Sequence, residues 1–290
     1  MILVTGVEGL LGARIFELAK DDVVGTYHNP CDIAGNLLRM DITNRKSVFD
    51  TVKSYKPEFI IHCAALTDVD MCEIEKEKAW DINVNGTKNI ADACKAINAK
   101  MVYISTDYIF DGKKGMYQED DQPNPLSYYA KTKLAGEYEV RKLEAFIIAR
   151  TSVIYGNGKN NFASWVMQSL KDNLNINVVK DQFNSPTLNT NLAEALLEMC
   201  KKDLNGIYNC SGSERISRFN FAKKIADIFE LDERLINSIK TEQLKQKAKR
   251  PIDSSLDISK IRKEIKIKML DVKEGLTRMK KETEHSNRRY

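Results

Sequence analysis

Short, wholly apolar runs alternate with longer amphipathic stretches over the first half of this chain, and that alternation leaves few folds open. Ile2–Thr5, Val23–Tyr27, Leu37–Met40, Phe59–Cys63, Met101–Ser105 and Phe146–Arg150 have the length and apolar character of strands covered on both faces. Between them, Leu10–Ala19, Asn44–Tyr55, one or two helices within Glu75–Ile97, and Ser127–Glu144 carry apolar residues at helical spacing. Thr43 is the expected N-cap of the second helix, and Pro57 its stop. Strand, helix, strand in repetition is the βαβ unit, so the expected class is α/β with a doubly wound parallel sheet. Residues 107–126, which include Gly112, Gly115, Pro123 and Pro125, read as a loop. Beyond about residue 155 the regularity weakens. Helices are expected at Phe162–Lys171, Leu192–Lys201, Arg218–Phe229 and Val272–Lys281, with a strand near Ile207–Cys210 and a frayed tail at His285–Tyr290. The division this implies is a nucleotide-binding domain over 1–155 and a smaller C-terminal α/β substrate lobe over 156–290, part of it returning to the main sheet.

Composition removes several classes of function. The 290 residues carry 45 Lys+Arg against 41 Asp+Glu, a net charge of +4. The basic surplus lies mostly after Lys240 and is interrupted by acids, so no nucleic-acid partner is expected. Met1 leads directly into Ile2-Leu3-Val4-Thr5-Gly6 with no basic leader, and apolar runs such as Phe59–Leu66 fall well short of the ~20 residues a membrane helix needs. The expectation is a soluble, cytoplasmic protein without a membrane partner. Six cysteines form no Cys-x-x-Cys pair, and several lie in apolar stretches as reduced thiols do. Three scattered histidines provide no local metal motif, so no metal is expected.

Three signals carry chemistry. The first is Gly6-x-x-Gly9-x-x-Gly12, placed directly after strand one and opening helix one. A dinucleotide pyrophosphate needs a tight turn, a backbone free of side chains and a helix N-terminus, which are the features of a Rossmann-like fold. Strand two ends Gly25-Thr26-Tyr27-His28 without the acid that holds the ribose of NAD, and His28 or Arg14 can instead meet a 2′-phosphate. That favours NADPH, with NADH left open. Asp41-Ile42, after the strand at Leu37–Met40, can contact an adenine, and a capping aspartate is the competing account.

The second signal is Tyr-x-x-x-Lys, which sets a phenol and an ammonium on one helix face, where the ammonium lowers the phenol's pKa and readies it to protonate an alkoxide. It occurs as Tyr129/Lys133, Tyr138/Lys142 and Tyr155/Lys159. Gly156 and Gly158 deny the last pair a helix, and nine steps of about 100° turn Tyr138 away from Tyr129. The third signal, Ser105-Thr106-Asp107-Tyr108, follows strand four at the end of the sheet where ligands bind, and it selects Tyr129/Lys133.

Together these pieces resemble the extended, nucleotide-sugar branch of the short-chain dehydrogenase/reductase superfamily, and within it the dTDP-4-dehydrorhamnose reductase family. The likeness runs from Cys63-Ala64-Ala65-Leu66-Thr67-Asp68-Val69-Asp70, Glu73 and Asn83 through Ile104–Gly112, Asn124-Pro125-Leu126, Tyr129 and Gly136-Glu137. It continues in Arg150-Thr151-Ser152, Tyr155-Gly156, Asn161-Phe162, Asp181-Gln182, Pro186-Thr187, Arg250-Pro251, Ser254 and Leu256. The resemblance implies that Gly6, Gly9, Leu10, Leu11, Gly12, Asp41, Ile42, Ala64, Ala65, Thr67, Tyr129 and Lys133 line the nicotinamide cofactor. It makes Tyr129 the proton donor, Lys133 the group that binds the ribose and tunes the phenol, and Thr106 their catalytic neighbour. Thr106, Asp107, Val153 and Arg250 would meet a nucleotide-sugar substrate, Arg250 by gripping its diphosphate unless a neighbouring acid pairs with it.

The activity implied is NADPH-dependent reduction of a 4-keto group, dTDP-4-dehydro-L-rhamnose giving dTDP-L-rhamnose, and a homodimer is compatible with it. Related 4,6-dehydratases carry Asp-Glu after the Ser-Thr step, and Asp107-Tyr108 here speaks for a simple reductase. The alternatives are reduction or epimerisation of another nucleotide 4-ketosugar, and a non-catalytic regulatory subunit like that of methionine adenosyltransferase. Val153 stands where the family carries an aromatic, Leu66 where it carries tyrosine, His62 where it carries asparagine and Asn184 where it carries glycine. For His62 the expected role is a core side chain hydrogen-bonded to backbone.

Overall fold

The computed structural model describes residues 1–20 and 22–287. Its first half runs β1 (Ile2–Thr5), α1 (Leu10–Ala19), β2 (Val23–Tyr27), β3 (Leu37–Arg39), α2 (Arg45–Tyr55), β4 (Phe59–His62), α3 (Val69–Ile74), α4 (Lys76–Trp80), α5 (Thr87–Ile97), β5 (Lys100–Thr106), α6 (Tyr128–Val140) and β6 (Phe146–Thr151). The second half runs β7 (Ile154–Tyr155), α7 (Phe162–Lys171), β8 (Ile176–Val179), β9 (Phe183–Asn184), β10 (Thr187–Leu188), α8 (Asn189–Lys201), β11 (Gly206–Asn209), β12 (Ile216–Ser217), α9 (Arg218–Ile228), β13 (Ile236–Ile239), α10 (Ile261–Glu264) and α11 (Val272–Asn287).

Seven strands form one parallel sheet in the order β11-β6-β5-β4-β1-β2-β3, the doubly wound arrangement that the alternation predicts. The sheet is buried on both faces because successive side chains of a strand point to opposite sides. Val4, Ile61 and Val102 join one core with α1 and α8, whereas Leu3, Ile60 and Met101 join another with α2 and α5. Strand order reverses between β1 and β4, so a crevice opens at their carboxyl ends, where ligands of such sheets bind. A third core, built on Tyr155, Leu170, Phe221, Ile225 and Leu276, holds the smaller C-terminal region of short mixed strands and helices.

Some local expectations give way. Asn44, not Thr43, caps α2, its side chain accepting from Ser47 N at 3.0 Å. Thr43 is drawn off by Asp41, to which its hydroxyl donates at 2.8 Å. Helical structure begins at Val69 rather than Glu75, and Asp81–Gly86 forms a π-helical segment between α4 and α5. The 107–126 loop opens with a 3-10 turn at Asp107–Ile109. His285 is helical rather than frayed, because α11 docks Val272, Leu276 and Met279 in the third core and nothing in its sequence breaks the helix. Arg288–Tyr290 lie outside the described residues.

One ion pair joins the helix that carries the chemistry to the sheet beneath it. Glu137 of α6 is wholly buried and accepts from Arg150 Nε at 3.0 Å and Nη2 at 2.9 Å, from Ser105 Oγ at 2.6 Å and from Arg141 at 2.9 Å. Burial pushes this carboxyl up, but the Arg150 hydrogen bonds and charge outweigh it and hold it below the usual carboxylate range. Removing one partner of a buried pair strands the other charge. Glu137→Gln is therefore expected to lower unfolding free energy by about 3–5 kcal/mol in a denaturant titration, and a loss under about 1 kcal/mol would contradict this account.

Candidate active site

The glycine turn between β1 and α1 is closed by contacts that admit no side chain. Gly6 sits at φ +72°, and a Cβ there would come within 2.7 Å of Ala64 N. A Cβ on Gly12 would lie 2.2 Å from the Gly6 carbonyl oxygen. Gly9 precedes α1 with no side-chain cap, so the first N–H groups of the helix face the crevice. This cradle fits a dinucleotide pyrophosphate, with Gly6, Gly9 and Gly12 giving close backbone approach. Leu11 and Ile42 turn their side chains into the cores, Leu10 at the start of α1 is partly buried, Ala64 and Ala65 lie partly buried on the loop after β4, and Thr67 is exposed beyond them. Asp41 makes a local turn with Thr43 N at 2.9 Å, which supports the capping-type account of its carboxylate.

On the opposite side of the crevice α6 begins at Tyr128, capped by Ser127 at 3.3 Å and by Glu73 of α3, which accepts from Tyr128 N at 2.7 Å. The acid at this helix start opposes the positive end of the dipole. Tyr129 and Lys133 share one face of α6. Tyr138 is half exposed, as the angular arithmetic requires, and Tyr155 packs on Phe221 in the third core, far in role from any lysine partner. Burial pushes the Tyr129 phenol above its ordinary value, and the Thr106 hydroxyl facing it pulls the other way. The expectation that a neighbouring ammonium lowers this phenol is thus not met in the chain by itself, because burial wins.

Lys133 is nearly fully buried, and its Nζ lies 4.1 Å over the Tyr103 ring. Burial brings its pKa down to about 7, against the opposing charges of Glu137, Cys63 and Cys72. Gly136 makes room for this packing, since a Cβ there would meet Tyr103 Oη at 2.3 Å.

Ser105 and Thr106 divide their work. Ser105 donates to Glu137 and faces away from the crevice, leaving Thr106 beside Tyr129. Asp107 is buried and accepts from Ser152 at 2.8 Å, Ser254 at 2.5 Å and Thr106 at 3.2 Å. Burial raises its carboxyl to about 6 despite the Ser254 and Ser152 hydrogen bonds. It ties the end of β5 to the C-terminal region and has little left for a sugar. Val153 adopts φ +41°, a strained conformation for a β-branched residue, between β6 and β7. Arg250 is committed to Asp70, through Nη1 at 2.6 Å and Nη2 at 2.9 Å, so the neighbouring-acid account describes it.

A chain of buried polar groups connects the two sides, and motif reading did not find it. His62 Nε2 lies 3.2 Å from Thr87 Oγ1, whose proton is given to Asn83 O, so Nε2 donates. Its Nδ1 then accepts from Thr5 Oγ1 at 2.7 Å. His62 therefore bonds hydroxyls rather than backbone, and burial, then the Lys133 charge, hold it neutral, with its pKa pushed down to about 3. Asn83 sits in the π-helical segment and binds Leu66 N at 2.8 Å, Leu66 O at 3.1 Å and Thr132 Oγ1 at 3.0 Å. Thr132 donates to the Tyr129 carbonyl at 2.8 Å, completing the link. A π-bulge is a single inserted residue with no composition of its own, which is why only the structure exposes it.

Lys133 lends itself to a direct check. Between pH 7 and 10.5 the unfolded chain holds a proton on this lysine that the folded chain gives up, so folding stability rises with pH across that window. Cofactor-free Lys133→Met is expected to be more stable than the parent at pH 7, with the difference shrinking by on the order of 2 kcal/mol toward pH 9. A gap that stays constant with pH would mean that Lys133 remains a settled ammonium.

The RmlD substrate binding domain family matches residues 1–285. A dTDP-4-dehydrorhamnose reductase of Aggregatibacter actinomycetemcomitans is 35% identical over 95% of this chain and 96% of its own length. The crystal structure of dTDP-4-dehydrorhamnose reductase from Bacillus anthracis in complex with NADP superposes with a TM-score of 0.90 at 34% identity, covering 97% of this chain and 98% of that one. Methionine adenosyltransferase 2 subunit beta of Xenopus laevis is also similar, 30% identical over 90% of this chain and 81% of its own. Among the described residues no helix is long and apolar enough to cross a membrane, and no group of three His, Cys, Asp or Glu side chains is arranged to hold a metal. By its sequence and by its fold the chain belongs to the RmlD substrate binding domain family of NAD(P)-dependent, nucleotide-sugar reductases.

Proposed function

We propose that this chain reduces the 4-keto group of a nucleotide-activated deoxysugar, dTDP-4-dehydro-L-rhamnose being the substrate, with a nicotinamide cofactor held between the glycine turn and α6. The observation that carries the reading is the meeting of Tyr129, Thr106 and Lys133 across from the Gly6–Gly12 cradle at the carboxyl ends of β1, β4 and β5. When bound, the cofactor supplies the hydride. The chain supplies the rest.

Tyr129 keeps its proton at neutral pH because burial raises its pKa, so it is present as an acid and donates from Oη to the oxygen that was the ketone. Thr106 shares that oxygen by a second hydrogen bond, which fixes the carbonyl in reach of the phenol. Lys133, held by Tyr103 without a carboxylate of its own, presents its Nζ to the ribose hydroxyls of the cofactor as a donor. In this reading residues 1–155 bind the cofactor and 156–290 complete the sugar site. Asp107, Val153 and Arg250 shape that site from behind: Asp107 and Arg250 through their serine and Asp70 partners, Val153 through its turn.

Loss of reduced-cofactor absorbance with dTDP-4-dehydro-L-rhamnose tests the reading. The parent is expected to turn over, and Tyr129→Phe to lose about 10²- to 10⁴-fold in kcat with its thermal unfolding unchanged. Cofactor binding without turnover of this or any other 4-ketosugar would instead favour the reading of a non-catalytic subunit.

A further inference from the structure

To steady the ketone oxygen Thr106 must donate its one proton there, yet in the structure that proton goes elsewhere. Thr106 Oγ1 donates to Asp107 Oδ1 at 3.2 Å and accepts from Tyr108 N at 3.2 Å. While Asp107 is a carboxylate, which only accepts, the bond between them has no other polarity. Thr106 is then left with a lone pair for the substrate, and a lone pair repels a carbonyl oxygen.

The second oxygen of Asp107 is already filled. Oδ2 accepts from Ser152 Oγ at 2.8 Å and from Ser254 Oγ at 2.5 Å. Each serine also accepts, Ser152 from Ser185 N at 3.3 Å and Ser254 from Asn184 Nδ2 at 3.1 Å, so the proton of each is turned to Asp107. A proton on Asp107 therefore sits on Oδ1, facing Thr106. With it there the bond reverses. Thr106 Oγ1 accepts from Asp107 and from Tyr108 N, both its lone pairs are filled, and its own proton is free for the ketone oxygen.

We propose that Asp107 works as a neutral acid, a positioning residue whose proton on Oδ1 turns the Thr106 hydroxyl toward the ketone oxygen. The proposal rests on the reduction proposed above, and it gives Asp107 no contact with the sugar. Asp107 keeps its proton throughout, and the proton that the ketone oxygen gains is the one from Tyr129.

The electrostatics of the site point the same way. Asp107 is 2% exposed, and burial is the largest influence on its carboxyl, raising it to about 6. Arg218 at the start of α9 is a cation that favours the ionised form. The turn after β6 and the segment before Leu256 meet it with neutral serines, and Asp253 beside Ser254 is turned to Arg215 and Ser255. From α6 it faces the Tyr129 phenol. An ionised Asp107 raises that phenol further, opposing the negative charge that grows there as the proton leaves, and a neutral one does not.

The test is the pH dependence of kcat at saturating dTDP-4-dehydro-L-rhamnose. The parent is expected to lose at least about tenfold in kcat from pH 6 to pH 8, as one proton leaves a group titrating near 6. Asp107→Asn copies the neutral acid, its oxygen taking Ser152 and Ser254 while its Nδ2 donates to Thr106. It is expected to show no such fall, and so to exceed the parent about tenfold at pH 8 with the sugar KM unmoved. Ser254→Ala removes a hydrogen bond that lowers this carboxyl, and is expected to move the fall to higher pH by about one unit.

A parent kcat that is flat or rises from pH 6 to pH 8 overturns the proposal whether or not either variant folds. So does a Ser254→Ala profile that superposes on the parent's. An Asp107→Asn that keeps the parent's fall assigns the proton to another group, such as Lys133, and one with a raised sugar KM puts the carboxylate on the substrate; either overturns the proposal. A parent without turnover at any pH takes down the reduction itself, and this proposal with it.

Discussion

The buried carboxylate of Glu137 fixes where α6 lies, and through α6 it fixes the site. Its two oxygens take four hydrogen bonds, two from Arg150 on β6 and one each from Ser105 on β5 and Arg141 at the C-terminal end of α6. The helix is thereby pinned to two adjacent strands by groups that cannot slide without exposing a charge to apolar surroundings. Glu137 stands one helical turn beyond Lys133, at the spacing of an intrahelical ion pair. Its oxygens are nonetheless spent on guanidinium and hydroxyl donors, and it acts on Lys133 only through its charge. The lysine is left over an aromatic face, buried and with its proton loosened. An ammonium so placed costs stability in the chain alone and becomes useful when hydroxyl acceptors arrive, which is the pattern of strain expected at functional sites.

A second constraint, the polar chain from Thr5 through His62, Thr87, Asn83 and Thr132 to the Tyr129 carbonyl, sets the distance between the two walls of the crevice. Each member has its donors and acceptors matched, so the chain has one arrangement rather than several. His62 is suited to it because a neutral imidazole both donates and accepts, and its depressed pKa keeps it neutral throughout the physiological range. The π-helical turn at Asp81–Gly86 is what swings Asn83 inward to meet both Leu66 and Thr132.

Much of this architecture can be read from the chain. Apolar runs flanked by amphipathic ones determine the parallel sheet, because only double coverage tolerates strands such as Phe59-Ile60-Ile61. The choice among three Tyr-Lys pairs follows from rotation per residue, and half-exposed Tyr138 obeys it. Less legible are features decided by competition between neighbours. Thr43 and Asn44 are both good caps, and Asp41 settles the matter by taking the threonine. Arg250 has the right chemistry for a diphosphate, but Asp70, 180 positions earlier, takes both arms of its fork.

Glu8 shows the same difficulty in its sharpest form. Reading along β2 finds no acid, and the natural conclusion is a site open to a phosphate. Strand pairing brings β1 and β2 side by side, however, and a loop residue twenty positions earlier reaches the end of β2. Linear motifs assign a subsite to the strand that usually supplies it, whereas electrostatics depends only on where charge ends up. A carboxylate held by two backbone N–H groups is fixed in place as firmly as one rooted in the strand. The charge at the end of a strand in a parallel sheet is therefore set by both strands beside it and by the turn that precedes the helix.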